Sequence, residues 1–409
     1  MRILLISQWC DPEPFPKGLA FARALRARGH EVQVLTGFPN YPGGKVYPGY
    51  RVRLYSREVV EGVSVVRVAL FPSHDESALR RVANYASFAL SAALLAPWLT
   101  RKADVAYVYA PPATVALPAM VVQIARGTPF VYDIGDMWPD TLAATGMVRS
   151  KAIMFLVGAW CRLVYRAAAR VVATSPGFVP LLASRGVPAS KVSVIANWCD
   201  EFQIRLGTRD TDLARTLGME GRFNVLFAGN MGKAQALDTV LDAAALAAAR
   251  MPAVQFVFIG GGVDAERLER TARERRLENV RFLPRCPYSE IGQVQAQADL
   301  LLVHLRDEPL FRITTPSKIQ AYLFAGKPIL AAVYGDAADL VIKAGAGVVC
   351  PPESPAALCD AVERLYKAGP EELSAMGERG RAYYARELSL EAGTARFEEL
   401  FRSVATDAG

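Results

Sequence analysis

Cysteine and histidine are scarce in this 409-residue chain, which has six of the first and three of the second. Cys10, Cys161, Cys199, Cys286, Cys350 and Cys359 are scattered, with no C-x-x-C pair and no histidine clustered with them. That argues against a disulfide framework or a zinc site and fits a reducing compartment. Long apolar runs are also lacking. The longest, Tyr85 to Leu99, is broken by Ser87, Ser91 and Pro97, short of the roughly 20 residues that cross a bilayer, so no span is expected. Met1-Arg2 leads straight into Ile3–Ile6, which reads as a buried first strand rather than a secretion signal. No G-x-G-x-x-G follows that strand, and no glycine loop carries Ser or Thr after its lysine. The signatures of a nicotinamide dehydrogenase and of a P-loop are both missing.

What is present is apolar sequence, 52% of the chain, enough for two cores at roughly 100–200 residues per domain. Short apolar runs alternate with turns and longer helical stretches. Strands are expected at 2–7, 31–36, 63–70, 104–109, 129–133, 170–174 and 191–196, then at 223–228, 254–259, 280–283, 299–303, 328–332 and 347–350. Helical patterns such as 18–28, 238–249 and 265–276 lie between them. The alternation predicts an α/β protein of two doubly wound, Rossmann-like domains facing a central cleft. Periodicity lapses over Asn197–Thr211, the expected linker.

Charge is divided unevenly. Residues 1–199 hold 22 basic and 11 acidic side chains, and residues 200–409 hold 25 and 29. Between Thr141 and Cys199 there are seven basic residues and no acid. Arg162, Arg166 and Arg170 would form one stripe on a helix, among Ile153, Phe155, Leu156 and Trp160. Such a helix suits an anionic membrane surface. A helix packed on a sheet, with its arginines solvated, would look the same. Nucleic acid is not expected, because no helix-turn-helix, RNP-like or zinc pattern accompanies the charge.

Three glycine-bearing loops follow predicted strands: Ser7–Gly18, Gly229-Asn230-Met231-Gly232-Lys233, and Gly260-Gly261-Gly262. In the second, glycines admit a phosphate close to the backbone, Lys233 adds a cation and a helix follows. Glycines that merely permit a strand-to-helix turn are the plain alternative. Thr314-Thr315-Pro316-Ser317-Lys318 is another anion candidate. Thr315 reads as its N-cap, Pro316 as its first helical residue, and Lys318 adds charge where the helix dipole favours an anion. Two such sites in one domain suit a diphosphate. Carboxylates gather over Asp133–Asp140, at the end of a predicted strand, where one could hold a hydroxyl or act as a base. His74 sits in a loop, His30 reads as structural, and His304 ends a strand with either role open. Asp210-Thr211-Asp212 reads as a helix start rather than a metal site.

Taken in order, these segments resemble retaining glycosyltransferases of family 4, which have the two-domain GT-B fold. The resemblance runs through Ile6–Gly18, Leu35–Pro42, Asp133–Asp140, Ser175–Phe178, Val194–Asn197, Phe227–Lys233 with Gln235, Ile259–Gly262, and Pro316–Tyr322 to Gly326-Lys327-Pro328. The nearest subgroup comprises bacterial transferases of capsule, O-antigen and colanic-acid assembly, including the fucosamine-transferase type.

The resemblance implies that residues 1–200 bind an acceptor and face a membrane, and that 201–385 bind a nucleotide-sugar. A helix within 386–409 would pack back on the first domain. The implied donor is a nucleoside-diphosphate sugar, with UDP as the expected nucleotide. It would be held around Gly18, Gly229, Asn230, Gly232, Gln235, Gly261, Arg285, Thr315, Ser317 and Gln320. Lys233 and Lys318 would stabilise the leaving diphosphate and Asp136 would orient hydroxyls. The implied acceptor is a polyprenyl-diphosphate-linked saccharide at His74, Asp133 and Asn197. It would lie on the cytoplasmic membrane face, touched by residues 80–101 and 149–170. Neither a cofactor nor a metal is implied. Two departures stand out. Ile313 and Ala321 occupy the positions of two family glutamates eight residues apart, the second of which holds the ribose. Gly135-Asp136 replaces a His-Asp pair. A non-hydrolysing nucleotide-sugar epimerase and an inactive donor-binding scaffold are the rival readings.

Overall fold

The computed structural model describes residues 1–407 apart from 16, 74–77, 145–147 and 149, and apart from the side chains of 78 and 144. The chain forms two compact units, Met1–Ala196 with Leu390–Gly409, and Asn197–Ser389.

The first unit is built on eight strands: β1 (Arg2–Ile6), β2 (Glu31–Gly37), β3 (Tyr55–Val60), β4 (Val63–Val68), β5 (Val105–Ala110), β6 (Phe130–Ile134), β7 (Arg170–Ala173) and β8 (Val192–Val194). Their order is β3-β4-β2-β1-β5-β6-β7-β8. Every pair is parallel except the β3–β4 hairpin. Strands β5 and β6 are buried along their whole length, as strands covered on both faces must be. The edge strand β3 is absent from the sequence expectation. Its residues alternate between exposed and half-buried, so it shows no apolar run. The helix Leu390–Asp407 closes this unit's core. Phe397 and Phe401 pack on the Tyr107 ring at 5.3 and 5.9 Å, and Glu398 takes hydrogen bonds from Arg28 and His30, each at 2.9 Å.

The second unit holds six parallel strands: β9 (Phe223–Asn230), β10 (Val254–Gly261), β11 (Val280–Leu283), β12 (Leu300–His304), β13 (Ile329–Ala332) and β14 (Gly347–Cys350). Their order is β11-β10-β9-β12-β13-β14. One face packs Val225, Phe227, Phe256 and Leu302 against Val240, Leu241, Leu358 and Val362. The units part at 196/197 and 389/390 rather than at 200/201 and 385/386. The Tyr384 side chain ties residues 199–201 to the second unit, its hydroxyl accepting from Cys199 N–H (3.2 Å) and donating to the Glu201 carboxylate (2.7 Å). The stretch expected as a linker is packed rather than loose. Trp198, Cys199 and Ile204 are buried, and Asp210 N–H donates to the Gln297 side chain at 2.9 Å. Asp210 then caps the helix Thr211–Leu217, as its sequence suggested.

The helix Ala78–Leu99 is long and apolar enough, by length and composition, to cross a membrane from Leu79 on. It is nonetheless one-sided. Phe88, Ala92 and Ala96 are fully buried, whereas Leu90, Leu94 and Trp98 are exposed, Trp98 at 82%. The helix Lys151–Ala167 likewise exposes Ile153, Phe155, Leu156 and Leu163. It ends before Arg170, which opens β7 and pairs with Asp407 at 3.0 Å. Only Arg162 and Arg166 of the expected stripe therefore share the helix. Both helices meet the turn Ala113–Val115, one by packing and one through Trp160 Nε1 donating to the Ala113 carbonyl at 3.0 Å.

Candidate active site

In the second unit, β9 and β10 stay in register to their last residues, Gly229 opposite Gly260 and Asn230 opposite Gly261. Gly229 and Gly260 have φ of 139° and 140°, and a Cβ on Gly260 would lie 1.9 Å from the Gly229 carbonyl oxygen. Only glycine fits there. The chain then folds over β10, with Met231 N–H donating to the Gly261 carbonyl at 2.7 Å. Gly232 N–H is held by Gln235 Oε1 at 3.0 Å. Around Gly261 the Cβ direction is open, and Asn230 and Lys233 are exposed. The expected helix starts at Asp238, after a short turn over Lys233–Gln235 and a left-handed Ala236. Asp238 pairs with Arg267 at 2.7 Å, so that helix N-terminus already has its carboxylate.

The second anion candidate is less occupied. The helix Ser317–Ala325 has Pro316 as its N-cap, one residue later than the sequence suggested. It carries no acid in its first turn and no side-chain cap. Thr315 is half-buried and partnered, and Ser317 is exposed. Lys318 folds inward. Its Nζ is buried, 3.7 Å from the Phe227 ring centroid, and 3.4 Å from where a Cβ on Gly229 would stand. It makes no hydrogen bond among the described residues. Burial lowers its pKa to about 7.

Other groups pin this arrangement. The Tyr322 hydroxyl accepts from Ala228 N–H (3.0 Å) and donates to the Ala228 carbonyl (3.2 Å), tying the helix to the end of β9. Gln320, suggested for the donor, is spent locally. With its amide nitrogen donating, it reaches back to the Pro316 and Ser317 carbonyls at 2.9 and 3.1 Å. Ala321 is buried. His304 proves structural: Nδ1 donates to the Gln235 carbonyl at 2.7 Å and Nε2 accepts from Glu353 N–H at 3.3 Å. Burial pushes it down to about 4, so the ring is neutral. Arg285 is exposed just beyond β11 and forms no ion pair among the described residues. Asn197 is half-buried, its Oδ1 unpartnered.

In the first unit the carboxylates separate. Asp133 was expected at an acceptor, but its side chain is fully buried and pairs with Lys17 at 2.5 Å and with the Tyr107 hydroxyl at 2.6 Å. It faces the core and cannot meet a ligand. Asp136 keeps an exposed side chain, yet the protein crowded around it displaces enough water to raise its carboxyl from the usual range. A Cβ at Gly135 would stand 2.6 Å from the Ala110 carbonyl, so the histidine of the family pattern has no room. Gly18 is the N-cap of the helix Leu19–Ala27, but Asp11 Oδ2 occupies that terminus, accepting from Leu19 N–H at 2.8 Å. An anion has no vacancy there. His74 lies outside the described residues. Lys17 and Glu13 carried no sequence signal beyond their place in the first loop. Glu13 is buried and accepts from the N–H groups of Cys10, Asn40 and Tyr41. Burial pushes it up to about 7.

Among the described residues, no three His, Cys, Asp or Glu side chains gather as metal ligands. The chain is 26% identical to the probable glycosyltransferase WbjE of Pseudomonas aeruginosa, over 71% of this chain and 73% of that one. It is 28% identical to the putative colanic acid biosynthesis glycosyl transferase WcaI of Escherichia coli, over 74% and 75%. Its fold matches sucrose-phosphate synthase of Thermosynechococcus elongatus with a TM-score of 0.71 at 16% identity, over 99% of each chain. It also matches Anabaena HepE, solved with UDP, with a TM-score of 0.67 at 18% identity, over 98% of this chain and 100% of that one. Residues 19–198 match the glycosyl transferase 4-like domain and residues 209–383 the glycosyl transferases group 1. Those two segments take in nearly the whole chain, which belongs to this glycosyltransferase family of GT-B fold.

Proposed function

We propose that the protein transfers a sugar from a UDP-linked donor, with retention, to a polyprenyl-diphosphate-linked saccharide in cell-surface polysaccharide assembly. The observation that carries this reading is the buried, unpartnered Lys318 nitrogen beside Gly229. A basic group without a counterion, next to a backbone that only glycine can form, suits a diphosphate that arrives with the donor. The names of the relatives support it. WcaI is named a putative colanic acid biosynthesis glycosyl transferase, and HepE was solved with UDP and with UDP-glucose.

In this reading the anomeric carbon–phosphate oxygen bond breaks as the acceptor hydroxyl attacks from the same face. The departing phosphate oxygen takes the acceptor proton. Lys318 and the first turn of its helix bear the developing charge, with Lys233 at the exposed lip. Asp136 orients an acceptor hydroxyl. The transferred group is a hexosyl or N-acetylhexosaminyl unit, fucosamine type included, and transfer needs no metal. The acceptor is met at the cytoplasmic leaflet. Leu90, Leu94 and Trp98, with Ile153, Phe155 and Leu156, enter the headgroup boundary there. Sedimentation with vesicles containing phosphatidylglycerol tests that contact, and a Leu94→Ser/Trp98→Ser variant that still co-sediments fully sinks it.

The enzymatic reading is tested by incubating purified protein with UDP-, GDP- and dTDP-sugars and polyprenyl-diphosphate lipids, with and without EDTA. Label passing from a UDP-sugar into lipid, undiminished by EDTA, is expected. Conversion of the donor without lipid would favour an epimerase. Donor binding with no transfer would favour a scaffold.

A further inference from the structure

Lys318 differs from an ordinary phosphate-binding lysine in having nothing to hold its charge before the ligand arrives. Its Nζ lies over the Phe227 ring of β9 and beside Gly229, and among the described residues it forms no hydrogen bond. Its own helix offers no acid in the first turn. On β12 the titratable neighbour is His304, which is neutral with both ring nitrogens engaged, and behind it stands Glu353 at the backbone. No carboxylate forms an ion pair with Lys318 among the described residues. The surroundings therefore penalise an ammonium and offer only the ring in return. Resting on the proposed UDP-sugar site, we infer that Lys318 is an uncharged amine in the free protein above neutral pH. It takes a proton from solvent when the nucleoside diphosphate binds, so that donor binding and protonation are one event. The ammonium formed is paired by a phosphate oxygen, and it reverts in place to a neutral amine when the diphosphate departs and the proton returns to solvent.

Burial holds the free group near pKa 7, and a bound diphosphate raises it. Affinity is therefore full below about pH 7 and falls as pH rises, roughly tenfold per unit, until the pKa of the complex is reached. UDP adds no titration of its own at pH 8, since a terminal phosphate ionises near pH 6.

The experiment is calorimetric titration of the full chain with UDP at pH 8.0 in buffers of different ionisation enthalpy, repeated from pH 6.5 to 9. Uptake approaching one proton per UDP, with affinity falling about tenfold per unit above pH 7, is the expected result. Lys318→Met should lose the uptake and at least tenfold in affinity. Lys318→Arg, permanently charged, should bind UDP without uptake. Circular dichroism shows that each variant is folded, and the wild-type pH series stands without them. UDP binding with no proton uptake, or uptake that persists in Lys318→Met, overturns the coupling and leaves the donor site intact. Failure of the wild type to bind UDP overturns the reading beneath it.

Discussion

Each unit of this protein buries a lysine, and the two are handled in opposite ways. In the first unit Lys17 meets Asp133 at 2.5 Å, with neither side chain exposed, and the rings of Tyr109 and Phe397 lie 5.1 and 5.0 Å from its nitrogen. Burial lowers Lys17 and raises Asp133, and each is pulled back by the other. In the second unit Lys318 has, among the described residues, only the face of Phe227. A matched pair neutralises its own charge and stays as a fixture of the core. An unmatched amine leaves room for an anion in the proposed reading, and what distinguishes the two lysines is their partners rather than burial or residue type.

The largest expected effect breaks the matched side. Lys17→Met leaves Asp133 buried without its cation and should cost about 3–5 kcal/mol of unfolding free energy, read by urea titration. The loss should shrink at lower pH, where Asp133 takes up a proton and becomes neutral. Removing both charges in Lys17→Met/Asp133→Leu should cost less than the sum of the single changes, and additive costs would contradict the coupling.

Next in size is His304. Its folded pKa of about 4 lies below the unfolded value near 6.5. The neutral ring therefore stabilises the fold above pH 6.5, and that contribution is lost as pH falls toward 4, by up to about 3 kcal/mol. A His304→Gln variant should show a flatter acid limb in thermal melts.

Lys318→Met sharpens the unmatched side. Without ligand it should raise stability, by about 1–3 kcal/mol, because a buried polar group with no partner is removed. The same change should abolish transfer. A lysine that merely supports the fold would instead lower the melting temperature. The smallest effect is expected at Lys233. An exposed cation contributes about 1 kcal/mol or less, so Lys233→Ala should weaken UDP less than fivefold in the same calorimetry.

The two-sheet architecture was legible because buried parallel strands read as apolar runs, and every expected strand appears. One strand was not expected: β3 alternates between exposed and half-buried residues at an edge and is held by its partner β4. The glycine loop and the Pro316-Ser317-Lys318 start were legible too, because a close backbone approach and a helix entry are local properties. Roles set by distant neighbours were not. Asp133 looks like a site carboxylate at a strand end, but Phe130–Ile134 is buried on both faces, so alternation cannot tell which way it points. Lys17 and Glu13, in the first of the three glycine-bearing loops, turn inward. Gln320 spends its amide one turn back along its own helix. That Lys318 has no counterion is a statement about what is absent around it, and no spacing along a chain encodes that.

The closing helix has a further consequence for how the protein is made. Lys17 and Asp133 are synthesised early, but Phe397, which lies against Lys17, belongs to a segment made after the whole second unit. During synthesis the second unit therefore has all its residues before the first does, reversing the order in which domains usually mature on the ribosome. Until the helix Leu390–Asp407 emerges, the Lys17–Asp133 pair remains open to water on that side, and the first unit waits as an unfinished nascent chain.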